Sequence, residues 1–206
     1  MTQVVVVVVA YLLGSIPFAY LAGRTQGIDI RTVGSKNVGA SNVFRELGRG
    51  IGVTVMALDI AKGLVAVLIA DSETSSPWPL VAAAAAIVGH VFPVWLRFKG
   101  GKGVAVAGGA MIGLVPLPTV IVLILWVIVV AVTRYVSVAS IVAAAVFPFL
   151  VLGFGAPWPT VVFAVLAAIM VIVRHRANMQ RLLRGQELRL DFRRSRGRGT
   201  SRGSDG

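Results

Sequence analysis

The chain has no cysteine, which excludes disulfides, thiolate metal sites and a cysteine nucleophile. Histidine is nearly as scarce. His90 and His175 are the only two, and their separation argues against a histidine-rich metal site. Neither is followed five residues on by aspartate. Trp95 and Gln180 stand there instead, so a His–Asp pair of the H-x-x-x-x-D type is absent. The stretch FKGGKG, 98–103, lacks what a Walker A loop needs: Leu96 stands where Gly would be, and Gly103 where Ser or Thr would be. A nucleoside triphosphate is therefore not the natural ligand. No internal repeat marks an inverted-repeat transporter. The apolar stretch 1–22 has no basic region before it and no small-residue cleavage site after it. It reads as a retained span, not a signal peptide.

What the chain does have is grease and positive charge. Mean hydropathy is +0.87 and 57% of the 206 residues are hydrophobic, values of a polytopic membrane protein. A spanning helix needs about 20 apolar residues. Candidates lie at 3–23, 51–70, 79–96, 104–117, 118–133, 136–153 and 158–174. The fourth is short and glycine-rich, so it reads as a half-span or a tilted helix. The expected fold is an all-α, polytopic membrane helical bundle of about seven transmembrane helices.

Charge tests that layout. Arg24, Arg31, Lys36, Arg45 and Arg49 fall in the first connection, and Arg97, Lys99 and Lys102 in the third. Arg134 falls in the fifth, and ten arginines run from Arg174 onwards. The alternate connections DSETSSPW (71–78), 116–118 and GFGAP (153–157) carry no Lys or Arg. Under the positive-inside rule, seven spans place the N-terminus outside and the C-terminus in the cytoplasm. A five-span layout without the fourth and fifth keeps the same alternation. Residues 1–189 form the membrane domain. Residues 190–206, rich in Arg, Gly and Ser, read as a disordered basic tail that touches anionic lipid headgroups. Nothing else in the chain favours nucleic acid as a partner.

Four polar constellations share the basic side: GSKNVGASNVFRELG (34–48), FKGGKGVA (98–105), TRYVSVAS (133–140) and RHRANMQRLLRGQE (174–187). In the first, glycines let successive N–H groups turn inward as an anion-binding nest. Ser41 or Asn42 is placed to cap the short helix VFREL, with Gly48 as its stop. A helix N-terminus adds N–H donors, and Arg45 one turn in adds a guanidinium fork. Lys99 and Lys102 can each neutralise a phosphate as point charges. His175 and Asn178, three apart, share a helix face. Asp59 and Lys62, also three apart, sit inside a span, where charges face a cavity or each other.

These motifs, in this order, closely resemble the bacterial acyl-phosphate:glycerol-3-phosphate acyltransferase family, PlsY. The likeness spans 4–187 and includes GSIPFAYLAGR (14–24), GIDIRTVGSKNVGASNVFRELG (27–48), DIAKG (59–63), GHVFPVWLRFKGGKGVA (89–105), SVAS (137–140) and RHRANMQRLLRGQE (174–187). The family pattern is close to GSGNxGATN. Here Lys36 stands for its middle glycine and Ser41 for its threonine. Ser41 keeps the hydroxyl, while Lys36 gives up backbone freedom and adds a charge beside the nest.

The resemblance implies an integral enzyme of the bacterial inner membrane with a cytoplasmic-face site. It moves a fatty acyl group from acyl phosphate to the 1-hydroxyl of glycerol 3-phosphate, giving lysophosphatidic acid and phosphate, without cofactor or metal. Gly34, Ser35, Asn37, Gly39, Ser41 and Asn42 are the expected acyl-phosphate contacts. Arg45, Lys102, Ser140, His175 and Asn178 are those for glycerol 3-phosphate. Ser35, Arg45, Lys102, His175 and Asn178 are expected to carry the chemistry. The proton of the hydroxyl goes either to a donor phosphate oxygen or to His175, since no motif offers an obvious carboxylate base near the loop. The competing class is a membrane transporter of organic phosphates. It requires polar residues through both halves of the bilayer, and the outer side shows only Asp71 and Glu73.

Overall fold

The computed structural model describes residues 1–190, and they fold as helices joined by short turns. The helices are α1 (Thr2–Ser15), α2 (Phe18–Thr25), α3 (Ala40–Glu46), α4 (Arg49–Glu73), α5 (Trp78–Val91), α6 (Val104–Leu114), α7 (Pro116–Thr133), α8 (Val136–Gly153), α9 (Trp158–Arg174) and α10 (Arg176–Leu183), with a 3-10 turn at Val94–Leu96. Proline sets many of the breaks. Pro17 separates α1 from α2, and Pro116 and Pro157 open or precede α7 and α9, where a missing N–H costs nothing.

Five segments are long and apolar enough to cross a membrane: Thr2–Thr25, Arg49–Glu73, Trp78–Leu96, Pro116–Thr133 and Val136–Gly153. A sixth appears if α9 and α10, bent 51° to each other, count as one broken span. The predicted fourth span is the difference. Helix α6 has 11 residues, about 16 Å at 1.5 Å per residue, against a hydrocarbon core of roughly 30 Å. It is a short apolar helix, as its glycines and Pro116 suggested.

Small residues let the first half of the bundle close. A Cβ on Gly14 would lie 2.1 Å from the Ala86 carbonyl oxygen, and one on Gly109 only 1.8 Å from that of Ile60. Thus α1 packs backbone to backbone on α5, and α6 on α4, as small residues permit in membrane bundles. Val6, Ala10, Ala66, Ala82, Ala86 and Val106 fill the core between them. Helices α7, α8 and α9 pack in succession around a second core that includes Met111, Phe147 and Val151.

The loop between α2 and α3 is pinned beneath by Ile30, Val38, Val43 and Leu47, which pack with Ala19 and Val55. At the far end of the chain, Leu190 is buried with Val130 and Ala139 and donates its N–H to the Arg134 carbonyl at 2.8 Å. The rest of the expected tail, 191–206, lies outside the described residues.

Candidate active site

The loop that opens the first constellation is built around Asn42. This side chain is 1% exposed. Its Nδ2 donates to the Ile30 and Val33 carbonyls at 3.1 and 3.2 Å, and its Oδ1 accepts the Ser35 N–H at 2.9 Å. Asn42 therefore shapes the loop from inside. The predicted cap is corrected here: α3 begins at Ala40, Gly39 is its N-cap in extended conformation, and no side chain caps it. Ser41 and Asn42 lie within the first turn, because the chain enters the helix two residues earlier than a Ser41 cap would have it. Gly34 has φ of 56°, and a Cβ there would meet Asn42 Oδ1 and Glu46 Oε1 at 2.5 Å. Lys36, in the family's glycine place, adopts φ of 58°. The turn is thus kept by a left-handed lysine.

Arg45 points back over this loop, with Nη2 in a long 3.5 Å contact with Ser35 Oγ. Its Nε is buried with no hydrogen-bond partner among the described residues. Burial pushes its pKa down, and the Glu187 charge opposes that. Arg45 is thereby placed electrostatically beside the last constellation.

The second and fourth constellations meet directly. Lys102 Nζ donates to Asn178 Oδ1, and Arg174 donates to the Gly101 carbonyl at 2.9 Å. Asn178 Nδ2 in turn donates to Glu187 Oε1 at 2.5 Å. Glu187 also accepts from Ser137 Oγ and Arg181 Nε, each at 2.7 Å. The third constellation thus joins through Ser137. Burial alone would raise the Glu187 carboxyl, yet hydrogen bonds from Asn178, Ser137 and Arg181 hold it below its ordinary value. Lys102 is pushed down to about 8, chiefly by burial; Glu187 opposes this, while Arg181, Arg45 and Arg174 add to it.

His175 sits in the break between α9 and α10 and is 3% exposed. Its Nδ1 lies 2.7 Å from the Val171 carbonyl, a partner that can only accept. The ring proton is therefore on Nδ1, and Nε2 keeps its lone pair. Ser140 has different company. Its hydroxyl donates to the Val136 carbonyl at 2.8 Å and accepts from Trp126 Nε1 at 3.2 Å. It lines an apolar cavity of about 90 Å³ between α6, α7, α8 and α9, together with Val104, Ala144, Phe147, Ala167 and Val171. Val104 on α6, Ser140 on α8 and Val171 on α9 line it near the Lys102-side ends of their helices, and α7 lines it from Thr119 to Trp126.

Sequence reasoning overlooked Glu187. Two carboxylates do stand nearby: Glu187 sits among Arg45, Lys102 and Arg181, and Glu46 stands beside Gly34. The signal was available in the pattern RHRANMQRLLRGQE. A lone acid after so many bases must be either repelled into solvent or claimed by them. Among the described residues there is no group of His, Asp and Glu able to hold a metal ion.

An apolar helical bundle with a cluster of cations about Lys102 and an apolar cavity starting beside it defines an integral membrane protein with the chemistry to meet an anionic, lipid-like ligand. The family model described as Glycerol-3-phosphate acyltransferase matches residues 4–185, and the chain belongs to that family. Curated relatives include glycerol-3-phosphate acyltransferase 2 of Moorella thermoacetica, 47% identical over 187 residues, covering 90% of this chain and 96% of the relative. The glycerol-3-phosphate acyltransferase of Rubrobacter xylanophilus is 44% identical over 188 residues, covering 91% and 94%. The crystal structure of PlsY (YgiH), an integral membrane glycerol 3-phosphate acyltransferase in its glycerol 3-phosphate form, aligns with TM-score 0.89 and 38% identity over 93% of this chain and 96% of that one. The lysophosphatidic acid form of PlsY aligns with TM-score 0.86 and 37% identity, with the same coverage. This membership does not favour a transporter.

Proposed function

We propose that this acyltransferase uses an acyl phosphate as donor and acylates the 1-hydroxyl of glycerol 3-phosphate, releasing lysophosphatidic acid and phosphate. The observation that carries this reading is the convergence of Arg45, Lys102, Arg174 and Arg181 near an apolar cavity whose α6 wall begins at Val104, two residues after Lys102. Two phosphates and an acyl chain need such a site: cations to screen the anions, and a dry slot for the tail.

The donor is a mixed anhydride, so the chain mainly holds and orients. The N–H groups and hydroxyls of 34–41 (Gly34, Ser35, Asn37, Gly39, Ser41) cradle the donor phosphate, with Asn42 holding that loop. Arg45 and Lys102 grip glycerol 3-phosphate, and Asn178 orients Lys102. The 1-hydroxyl oxygen forms a bond to the carbonyl carbon, and the bond from that carbon to the phosphate oxygen breaks. The hydroxyl proton passes to the departing phosphate. His175 Nε2 accepts a hydrogen bond from the neighbouring 2-hydroxyl and so aligns the acceptor, and it does not take the 1-hydroxyl proton because a proton on that ring would face the Lys102 charge. Glu187 is not the base, since both its oxygens are engaged. Ser140, facing the cavity, lies where the acyl chain passes its carbonyl end.

Basic residues on this side of the bundle support a cytoplasmic face in the bacterial inner membrane. The experiment supplies purified protein with acyl phosphate and follows phosphate release. Release should require glycerol 3-phosphate, and acyl-CoA should not substitute; release without the acceptor would sink the reading. His175→Gln keeps a hydrogen-bonding group but no base at neutral pH. It should lower kcat by about tenfold, whereas loss beyond about 10³-fold would make His175 the base.

A further inference from the structure

We propose that Asp59, Lys62 and His90 form a positioning unit that fixes the Lys102 loop against the 34–42 loop. The three lie inside the bundle, apart from the cations that grip substrate. Lys62 and Asp59 are both 3% exposed along their side chains. Lys62 Nζ donates to the Ile16 carbonyl at 2.8 Å, lies 2.8 Å from Asp59 Oδ1, and lies 3.1 Å from His90 Nδ1. An ammonium has three N–H groups, and each has a partner. Ile16 caps the end of α1, where the break before Pro17 leaves carbonyls without helical partners. One side chain therefore ties together α1, α4 and α5.

That arrangement decides the state of His90. With Lys62 donating, Nδ1 accepts, and the ring proton sits on Nε2. This far edge of the ring is the wall on which the Lys102 loop rests. A Cβ on Gly101 would lie 2.2 Å from His90 Nε2 and 2.7 Å from the Val38 carbonyl oxygen. Val38 belongs to the 34–42 loop, so both substrate loops and His90 meet at Gly101. The loop backbone is pinned to the same place. Gly100 N–H donates to the Val91 carbonyl and Gly101 N–H to that of His90, both at 3.1 Å. Lys102 follows immediately. A line of contacts runs from Lys62 through His90 and Gly101 to Lys102 and Asn178.

A buried ion pair is a weak source of stability, because desolvation offsets most of its attraction. Apolar residues of similar volume would pack the bundle as well. They would not fix the ring edge of His90, and through it the angle at which Lys102 leaves the loop. A displacement of about 1 Å at such a group can cost about 10²-fold in rate.

The proposal rests on the reading that Lys102 grips glycerol 3-phosphate, and the test separates the two. His90→Asn keeps an acceptor for Lys62 at the Nδ1 place and removes the ring edge under Gly101. Its thermal midpoint in detergent should stay near that of the parent chain. Its KM for glycerol 3-phosphate should rise about tenfold while kcat changes less than about threefold. In a Lys102→Met background the same change should add nothing, the non-additivity of groups acting in series. An unchanged KM in His90→Asn, with a raised KM in Lys102→Met, overturns the proposal and leaves the site reading intact. Fully additive effects overturn it too. An unchanged KM in Lys102→Met overturns the site reading itself. If His90→Asn does not fold, Gly101→Ala presses on the same edge from the other side. It should give the same selective rise in KM, and an unchanged KM there overturns the proposal.

Discussion

Lys36 sits at φ 58°, and a side chain in that left-handed region costs about 1–2 kcal/mol relative to glycine's indifference. Its N–H still closes the turn onto the Val33 carbonyl at 2.9 Å, so the strain is tolerated in place. Lys36→Gly should therefore stabilise the chain by about 1 kcal/mol, read as a rise of a few degrees in thermal midpoint. The charge is a separate matter. Lys36→Asn, a residue that tolerates the left-handed region, should raise KM for acyl phosphate about threefold if the ammonium attracts the donor. Equal kinetics in both variants and the parent would show that the lysine serves neither substrate. Lys102 offers a sharper test. Its pKa is lowered to about 8, first by burial, so the ammonium proposed to grip the acceptor is lost as pH rises through that value. The free-enzyme profile of kcat/KM should then fall above about pH 8, while Lys102→Arg should keep the limb flat across the assay range. A flat profile in the parent chain would remove Lys102 from phosphate binding.

At the scale of elements, the long apolar helices were legible because hydropathy and the Lys/Arg bias are summed over many residues, and single errors average out. Helix α6 was legible as a short piece for the same reason: glycine and proline bound it. What escaped was anything decided by one side chain folding back. Asn42 reads as a helix cap by type and position, yet its amide turns away from α3 to bridge Ile30, Val33 and Ser35. No local pattern distinguishes a cap from such a strut. Glu187 escaped because the chain must fold back to bring it onto Asn178 and Arg181 of the helix before it and onto Ser137 of α8, far upstream. Asn42→Ala leaves two carbonyls and one N–H without their partner, at about 1–3 kcal/mol for each group that stays buried. It should lower stability by about 3 kcal/mol in detergent unfolding and weaken both substrates together, whereas Ser41→Ala should change stability by less than about 0.5 kcal/mol. A wild-type midpoint for Asn42→Ala would show that water replaces the amide and that the strut is dispensable.

On the proposed reading the whole molecule joins an anion site to an apolar cavity, and that joint makes the last prediction. The cavity begins beside Val104, Trp126, Ser140 and Val171 and continues inward past Ala144 and Ala167 to Thr119, Phe147 and Ala164. Its walls on α8 and α9 are alanines, so the slot exists because those helices lack bulk where they face each other. If the acyl chain lies here, each methylene that finds the wall loses about 0.8 kcal/mol of burial. Ala167→Phe would occupy the inner half of the slot. Donors long enough to reach it should lose at least two buried methylenes, about tenfold in kcat/KM. A short-chain acyl phosphate ends before the obstruction and should be used as well as by the parent chain. The measurement is a series of donors of increasing chain length against both proteins, with glycerol 3-phosphate saturating. A uniform loss across the series would mean that the phenylalanine disturbs the bundle. An unchanged series would place the acyl chain elsewhere, on the outer surface of the helices, and leave the cavity as a packing defect between α6 and its neighbours. A length-dependent loss ties chain selection to α6 and α9, which also bear Lys102 just before α6 and Arg174 at the end of α9, so that one packing arrangement sets both the anion site and the tail it accepts.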